Sequence, residues 1–236
     1  EVVMTENCNT CHDPLKAHGE FRREVELCVT CHNSGLYDPD TEDTYNPGSG
    51  EMNRLDLKVL VHRLHQGVEL PSLVKAAARN EVGFKYSVIG YQGNELVIAE
   101  VIEDNLDSNS TPKIEGVAFP RDQQNCTTCH TGGADSGNHR STVTREACGA
   151  CHDSTSFEEA TTTLVMDSHA GGVQATDQFC ASGGCHVANQ TTEFDLSVQG
   201  AHTIPFRSTQ LPGLDYSLVS AALTGSAVNV VFRVRN

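Results

Sequence analysis

Ten cysteines and eleven histidines carry most of the chemistry this sequence offers, and their order is not random. All ten cysteines fall into five pairs, and each pair is followed at once by His. Four read C-x-x-C-H: Cys8, Cys11 and His12; Cys28, Cys31 and His32; Cys126, Cys129 and His130; Cys148, Cys151 and His152. The fifth is two residues longer, with Ala181-Ser182-Gly183-Gly184 between Cys180 and Cys185, and His186 after them. C-x-x-C-H is the attachment signature of c-type haem. Two thiols add across the two vinyl groups of the porphyrin, and the adjacent imidazole lies under the iron as proximal ligand. Paired cysteines also build zinc sites and disulfides, but neither chemistry asks for His directly after the second Cys. At the fifth site a Cys180–Cys185 disulfide is the competing reading, while Gly183-Gly184 would let a longer haem loop bulge. Five haem c groups leave no cysteine over.

Six histidines remain, His18, His62, His65, His139, His169 and His202, against five irons that each need a sixth ligand. Met4, Met52 and Met166 are also present, and Met/His ligation would raise the potential. Enough His exist to close every iron, so bis-His coordination is the simplest account. It leaves no open position for a small substrate, which argues against nitrite-reductase or peroxidase chemistry. His62 and His65 are three residues apart in an apolar-periodic run, on one side of an expected helix. Asn53 and Asp56 read as its capping pair and Gly67 as its end. Such a pair would ligate two neighbouring haems; the competing reading is a solvated or metal-chelating pair. His18, His169 and His202 sit beside small residues that leave room for a flat macrocycle, and an ordinary surface His is the alternative for each. His139, in the polar stretch 132–140, reads as an exposed surface residue.

These motifs must be positioned by rather little regular structure. The chain has 236 residues, 38% of them hydrophobic, 6% aromatic and no Trp, which is thin for a side-chain core. The motifs come as a pair, a long gap, then a trio, spaced too closely for independent folded units. Haem macrocycles stacked on one another are therefore expected to replace the missing core. The expected fold is a mostly irregular or α multihaem cytochrome domain over 1–205 with low regular secondary structure. A small β-hairpin is expected in the gap, from Phe84–Ile89 and Glu95–Val101. Residues 206–236 form a C-terminal β segment, a second hairpin around Thr224-Gly225-Ser226. A lone hairpin is marginal in water, so it reads as the start of a β-domain or as a pairing arm. Gly35 to Gly50 reads as a polar loop whose acidic cluster (Asp38, Asp40, Glu42, Asp43) is a weak Ca²⁺ candidate, and Asp104–Ser110 as a polar turn.

The balance of 16 Lys+Arg against 31 Asp+Glu gives a formal charge of −15. Such a surface repels phosphate backbones, excluding a nucleic-acid role, and suits cationic or metal-bearing partners. No apolar run of 18 residues exists to span a bilayer. Membrane association is expected only through partners or an anchor outside this sequence. Thioether attachment implies export, with the periplasm as the alternative to the cell surface.

With these residues in hand, the sequence resembles the outer-membrane decahaem cytochromes of metal-reducing bacteria, the OmcA/MtrC type. The resemblance runs through Leu15-Lys16-Ala17-His18-Gly19, Cys28-Val29-Thr30-Cys31-His32-Asn33, Val61-His62-Arg63-Leu64-His65, Phe119-Pro120-Arg121-Asp122, Arg145-Glu146-Ala147-Cys148-Gly149-Ala150-Cys151-His152-Asp153 and His169-Ala170-Gly171-Gly172. It implies a pentahaem domain in which His18, His62, His65, His169 and His202 are the distal ligands and His139 is not needed. It also implies cell-surface lipoproteins passing electrons to metal oxides, flavins or partner cytochromes. The wide Cys180–Cys185 spacing departs from the usual pattern, although C-x4-C-H is known among cytochromes of the c3 type. The expected function is an extracellular or outer-membrane electron conduit. Two competing readings are a terminal metal or flavin reductase, and a subunit of a cytochrome filament, a homopolymer joined through the tail hairpin.

Overall fold

The structure, a computed structural model, describes residues 1–42, 52–103, 112–158, 160, 163–213, 215–225 and 227–235. The expected polar turn Asp104–Ser110 and residues 43–50 of the expected polar loop lie outside them. Among the described residues helices are few and short, and four small sheets account for the strands. The chain opens with α1 (Thr5–Cys8) and α2 (Val25–Cys31), each ending in a haem motif. Thr5 joins them: its hydroxyl accepts the Val25 amide at 2.9 Å, capping α2, whose own N-cap residue makes no side-chain bond.

β1 (Tyr37–Glu42) and β2 (Met52–Arg54) pair antiparallel, so the first part of the expected polar loop is a strand. Burial of Asp38 explains the difference: its carboxylate accepts the Ile89 amide at 2.7 Å, stitching β1 to the middle of the chain. α3 (Leu57–Gln66) follows, capped by Asp56, whose carboxylate accepts the Val59 amide at 3.3 Å. Asn53 takes no part in that cap. It is buried and donates instead to the Ser87 carbonyl at 3.0 Å. α3 stops at Gly67, which has φ +48 and whose backbone lies so close to Val117 that a Cβ would stand 2.0 Å from its carbonyl oxygen.

The gap between the two motif groups holds the side-chain core. α4 (Pro71–Ala78) packs on a three-stranded antiparallel sheet, β3 (Lys85–Ile89), β4 (Glu95–Ile102) and β5 (Lys113–Gly116), in the order β3-β4-β5. Leu70, Leu73, Ala76, Tyr86, Ile98, Ala99, Val101 and Val165 are buried there together. The first two strands are the two runs read as a hairpin; β5 carries no such alternation in Lys113-Ile114-Glu115-Gly116 and was legible only from its partner β4.

After the gap the elements are all short: α5 (Asn138–Ser141), α6 (Arg145–Cys151), the two-residue parallel pair β6 (Thr155–Ser156) and β7 (Asp167–Ser168), α7 (Gln178–Ser182) and α8 (Val198–Ala201). The chain closes with β8 (Asp215–Thr224) and β9 (Ala227–Arg235), an antiparallel pair that makes no extended contact with another described element. Leu218, Leu223, Val228 and Phe232 on this hairpin are exposed. Among the described residues, no helix is long and apolar enough to cross a membrane.

Candidate haem centres

Each four-residue motif winds into one helical turn. The amide of the motif His donates to the carbonyl of the first Cys: His12 to Cys8 at 2.9 Å, His32 to Cys28 at 2.9 Å, His130 to Cys126 at 2.9 Å and His152 to Cys148 at 2.8 Å. The stretched motif keeps the same closure. His186 donates to the Cys180 carbonyl at 3.1 Å, with the two extra residues accommodated at Gly183-Gly184, where Gly184 has φ +79. Cys180 and Cys185 are not joined to each other in this structure. Burial pushes the Cys8, Cys28, Cys126, Cys129 and Cys148 thiols up, and Cys151 up to about 11. That is the reverse of the lowered thiol that a thiol–disulfide exchange motif needs.

Five other histidines come to these turns from elsewhere, one to each. His18 stands at the tip of a turn closed by the Ala17–Arg22 bridge, and its ring lies 5.8 Å from that of His32. α3 delivers two: His65 faces His12 at 6.1 Å, and His62 faces His130 at 6.0 Å. His202 ends α8 and faces His152 at 6.2 Å. His169, just after β7, faces His186 at 6.1 Å. Gly171 makes that last approach feasible, because a Cβ there would stand 2.9 Å from the His169 ring.

This spacing tests whether haem fits. With an imidazole on each side of one iron, two bonds of about 2 Å plus the distance from each nitrogen to its ring centre put the centroids about 6 Å apart. The five pairs at 5.8–6.2 Å meet that requirement. The tautomers agree as well. Nδ1 sits on a backbone carbonyl in His32 (Leu55, 2.7 Å), His65 (Val61, 2.8 Å), His169 (Gly172, 3.0 Å), His186 (Leu196, 3.0 Å) and His202 (Val198, 2.7 Å). A ring held by Nδ1–H presents a bare Nε2 to a metal. Burial lowers the His62 and His152 pKa values, and that of His130 to about 4, so these rings are neutral, as ligation requires. Phe21, Phe179, Leu196 and Phe206, beside the motif segments, are exposed apolar surface of the kind a macrocycle covers.

His139 departs from expectation. It is half-buried rather than exposed, because α5 folds its ring onto His130 at 4.9 Å with the planes 28° apart. The sequence around it, polar and Gly-rich, carried no sign of this contact.

Neighbouring motifs are tied to one another. Asn7 donates to the carbonyls of Cys129 and Thr131 at 2.7 and 2.8 Å, linking the first motif to the third. Arg145 donates from Nε to Asp177 at 2.9 Å, linking α6 of the fourth motif to the start of α7 in the fifth. The thiols of Cys126 and Cys151 lie within electrostatic reach of each other, as do those of Cys8 and Cys28 and of Cys148 and Cys180. α3 packs on α6, where Glu146 is gripped by both Arg54 and Lys58.

Thiol pairs wound into turns, each turn met by a second imidazole across an iron's width, define a multihaem c-type cytochrome. The family described as outer membrane cytochrome MtrC/MtrF-like, domains II/IV, matches residues 1–202, and the chain belongs to it. Multiheme cytochrome MtrC of Shewanella baltica (strain OS185) is 36% identical over 75 residues, 31% of this chain and 9% of that protein. The crystal structure of MtrC from Shewanella baltica OS185 aligns with a TM-score of 0.40 and 22% identity, over 77% of this chain and 19% of the other. The chain thus spans less than a fifth of the relatives it matches.

Proposed function

We propose that residues 1–205 bind five haem c groups, each iron held between two imidazoles, and pass electrons from one haem to the next at the cell surface. The observation that carries this reading is the set of five histidine pairs, each a motif His with His18, His62, His65, His169 or His202, at the spacing of an intervening iron. The protein's part is to fix ligation, spacing and exposure, while the haems carry the redox chemistry.

The ties between motifs support a relay order in which the second haem neighbours the first, the first the third, the third the fourth and the fourth the fifth. Metal oxides, flavins or partner cytochromes are the acceptors, and the −15 charge favours partners with a cationic face. The cavity of about 280 Å³ lined by Cys126 and His202 belongs to the haem sites themselves, which favours a conduit over a reductase with its own substrate pocket. Residues 206–236 are read as a separate β segment, the start of a β-domain. The test is intact mass together with a reduced-minus-oxidised visible spectrum of the exported protein. Five haem additions with wholly low-spin bands support the reading; fewer haems, or a high-spin fraction, overturn it.

A further inference from the structure

The five histidine pairs differ in one respect that bears on redox potential. A ligating imidazole whose Nδ1–H donates to a carbonyl is more basic at Nε2, favours ferric iron and so lowers the potential. The pair at the fifth motif, His186 and His169, has two such bonds. The pairs at the first, second and fourth motifs each have one, through His65, His32 and His202. At the third motif Nδ1 of His130 and Nδ1 of His62 are both fully buried and make none. The Lys58 and Val2 carbonyls are near enough to favour protonation of His62 and His130, so what the third motif lacks is a well-formed bond rather than every carbonyl contact. Burial acts in the same direction, because a dry site disfavours the extra positive charge of ferric haem. Exposure does not separate the other motifs, since Cys11, Cys31 and Cys185 are all exposed, so the fifth motif is set apart by its two carbonyl bonds.

Without a hydrogen bond, something else must set the ring orientation of His130. His139 is in place to do so. Its ring stacks on His130 at 4.9 Å, closer than any pair that could hold an iron between them, and its own Nδ1 is fixed by the Ser136 carbonyl. We propose that the haem attached at Cys126 and Cys129 has the highest potential of the five and the haem at Cys180 and Cys185 the lowest, with His139 as the positioning residue for His130. In the relay order above, the highest-potential haem is the central one. Electrons entering from either end would settle there.

The inference rests on the bis-imidazole reading, and a wild-type protein lacking five low-spin haems would remove that reading rather than this one. Given five, the test is a spectroelectrochemical titration of the wild type and of His62→Met, His169→Met, His139→Leu and His139→Phe. Met for His keeps the iron six-coordinate and raises its potential. The highest component should move further up in His62→Met, and the lowest should rise in His169→Met. In His139→Leu the haem count should stay at five while the highest component moves and one low-spin electron paramagnetic resonance signal broadens; His139→Phe, which keeps a stacked ring, should restore both. A top component that stays put in His62→Met, or a His139→Leu protein identical to wild type in both readouts, overturns the proposal.

Discussion

His62 and His65 lie three residues apart on α3, yet their rings serve different motifs, His62 facing His130 at 6.0 Å and His65 facing His12 at 6.1 Å. One helix turn thus fixes the distance between two sites whose attachment cysteines are far apart in sequence. The arrangement depends on helical phase, since each residue advances about 100°. Inserting one Ala between Arg63 and Leu64 should swing His65 off His12 and leave His62 in place. One of five haems should then become high-spin, seen by electron paramagnetic resonance, while intact mass still counts five.

Glu146 holds α3 against α6 by accepting from Lys58 and Arg54. Burial works against its ionisation, but the two cations outweigh it and hold its pKa below the ordinary 4.5. A carboxylate lowered in the folded state contributes fully above pH 4.5, and its contribution fades as pH falls through the lower folded value. Glu146→Gln should cost roughly 0.2–1 kcal/mol at neutral pH, because the group is partly exposed. The difference from wild type in denaturant midpoint should shrink as the buffer is taken below pH 4.5.

Asp153 follows the fourth motif directly and is buried at 4% exposure, accepting the Ser72 amide at 3.0 Å and the Ser72 hydroxyl at 2.6 Å. It fastens the turn of the fourth motif to the first turn of α4, and so to the side-chain core. Replacing Asp153 with Ala strands buried donors and should destabilise by about 1–3 kcal/mol, read as a lower denaturant midpoint with haem content unchanged. Ser72→Ala, which removes one donor and keeps the amide bond, should cost less.

The five motif turns could be picked out in the sequence, because covalent haem attachment would dictate both residue type and spacing. The five histidines that come to these turns were singled out as a set by their number and small neighbours, but their pairing was not. Which ring meets which motif depends on contacts such as Asn7 to Cys129 that join residues over 100 positions apart. Local signals misled where a buried polar group acts at long range. Asp38 in an acidic run reads as solvated, yet it anchors a strand; Asn53 near a helix start reads as a cap, yet it bonds Ser87. His139 was misread for a different reason, its contact with His130 being set by α5 folding back rather than by its polar neighbours.

The fifth motif offers the sharpest check on how the turn, rather than the count of residues, makes a haem site. Its closure from the His186 amide to the Cys180 carbonyl matches that of the four shorter motifs, so the two extra residues act as a bulge and not as part of the frame. Deleting Gly183 and Gly184 leaves Cys180-Ala181-Ser182-Cys185-His186, an ordinary C-x-x-C-H order, and the carbonyl-to-amide closure should re-form across one turn. His186 should still meet His169, whose ring is held independently by the Gly172 carbonyl at 3.0 Å. The shortened protein should therefore carry five haems by intact mass, with an unchanged low-spin spectrum. Loss of one haem mass on deletion would mean that the longer loop is itself required for attachment, and the turn geometry would not be sufficient.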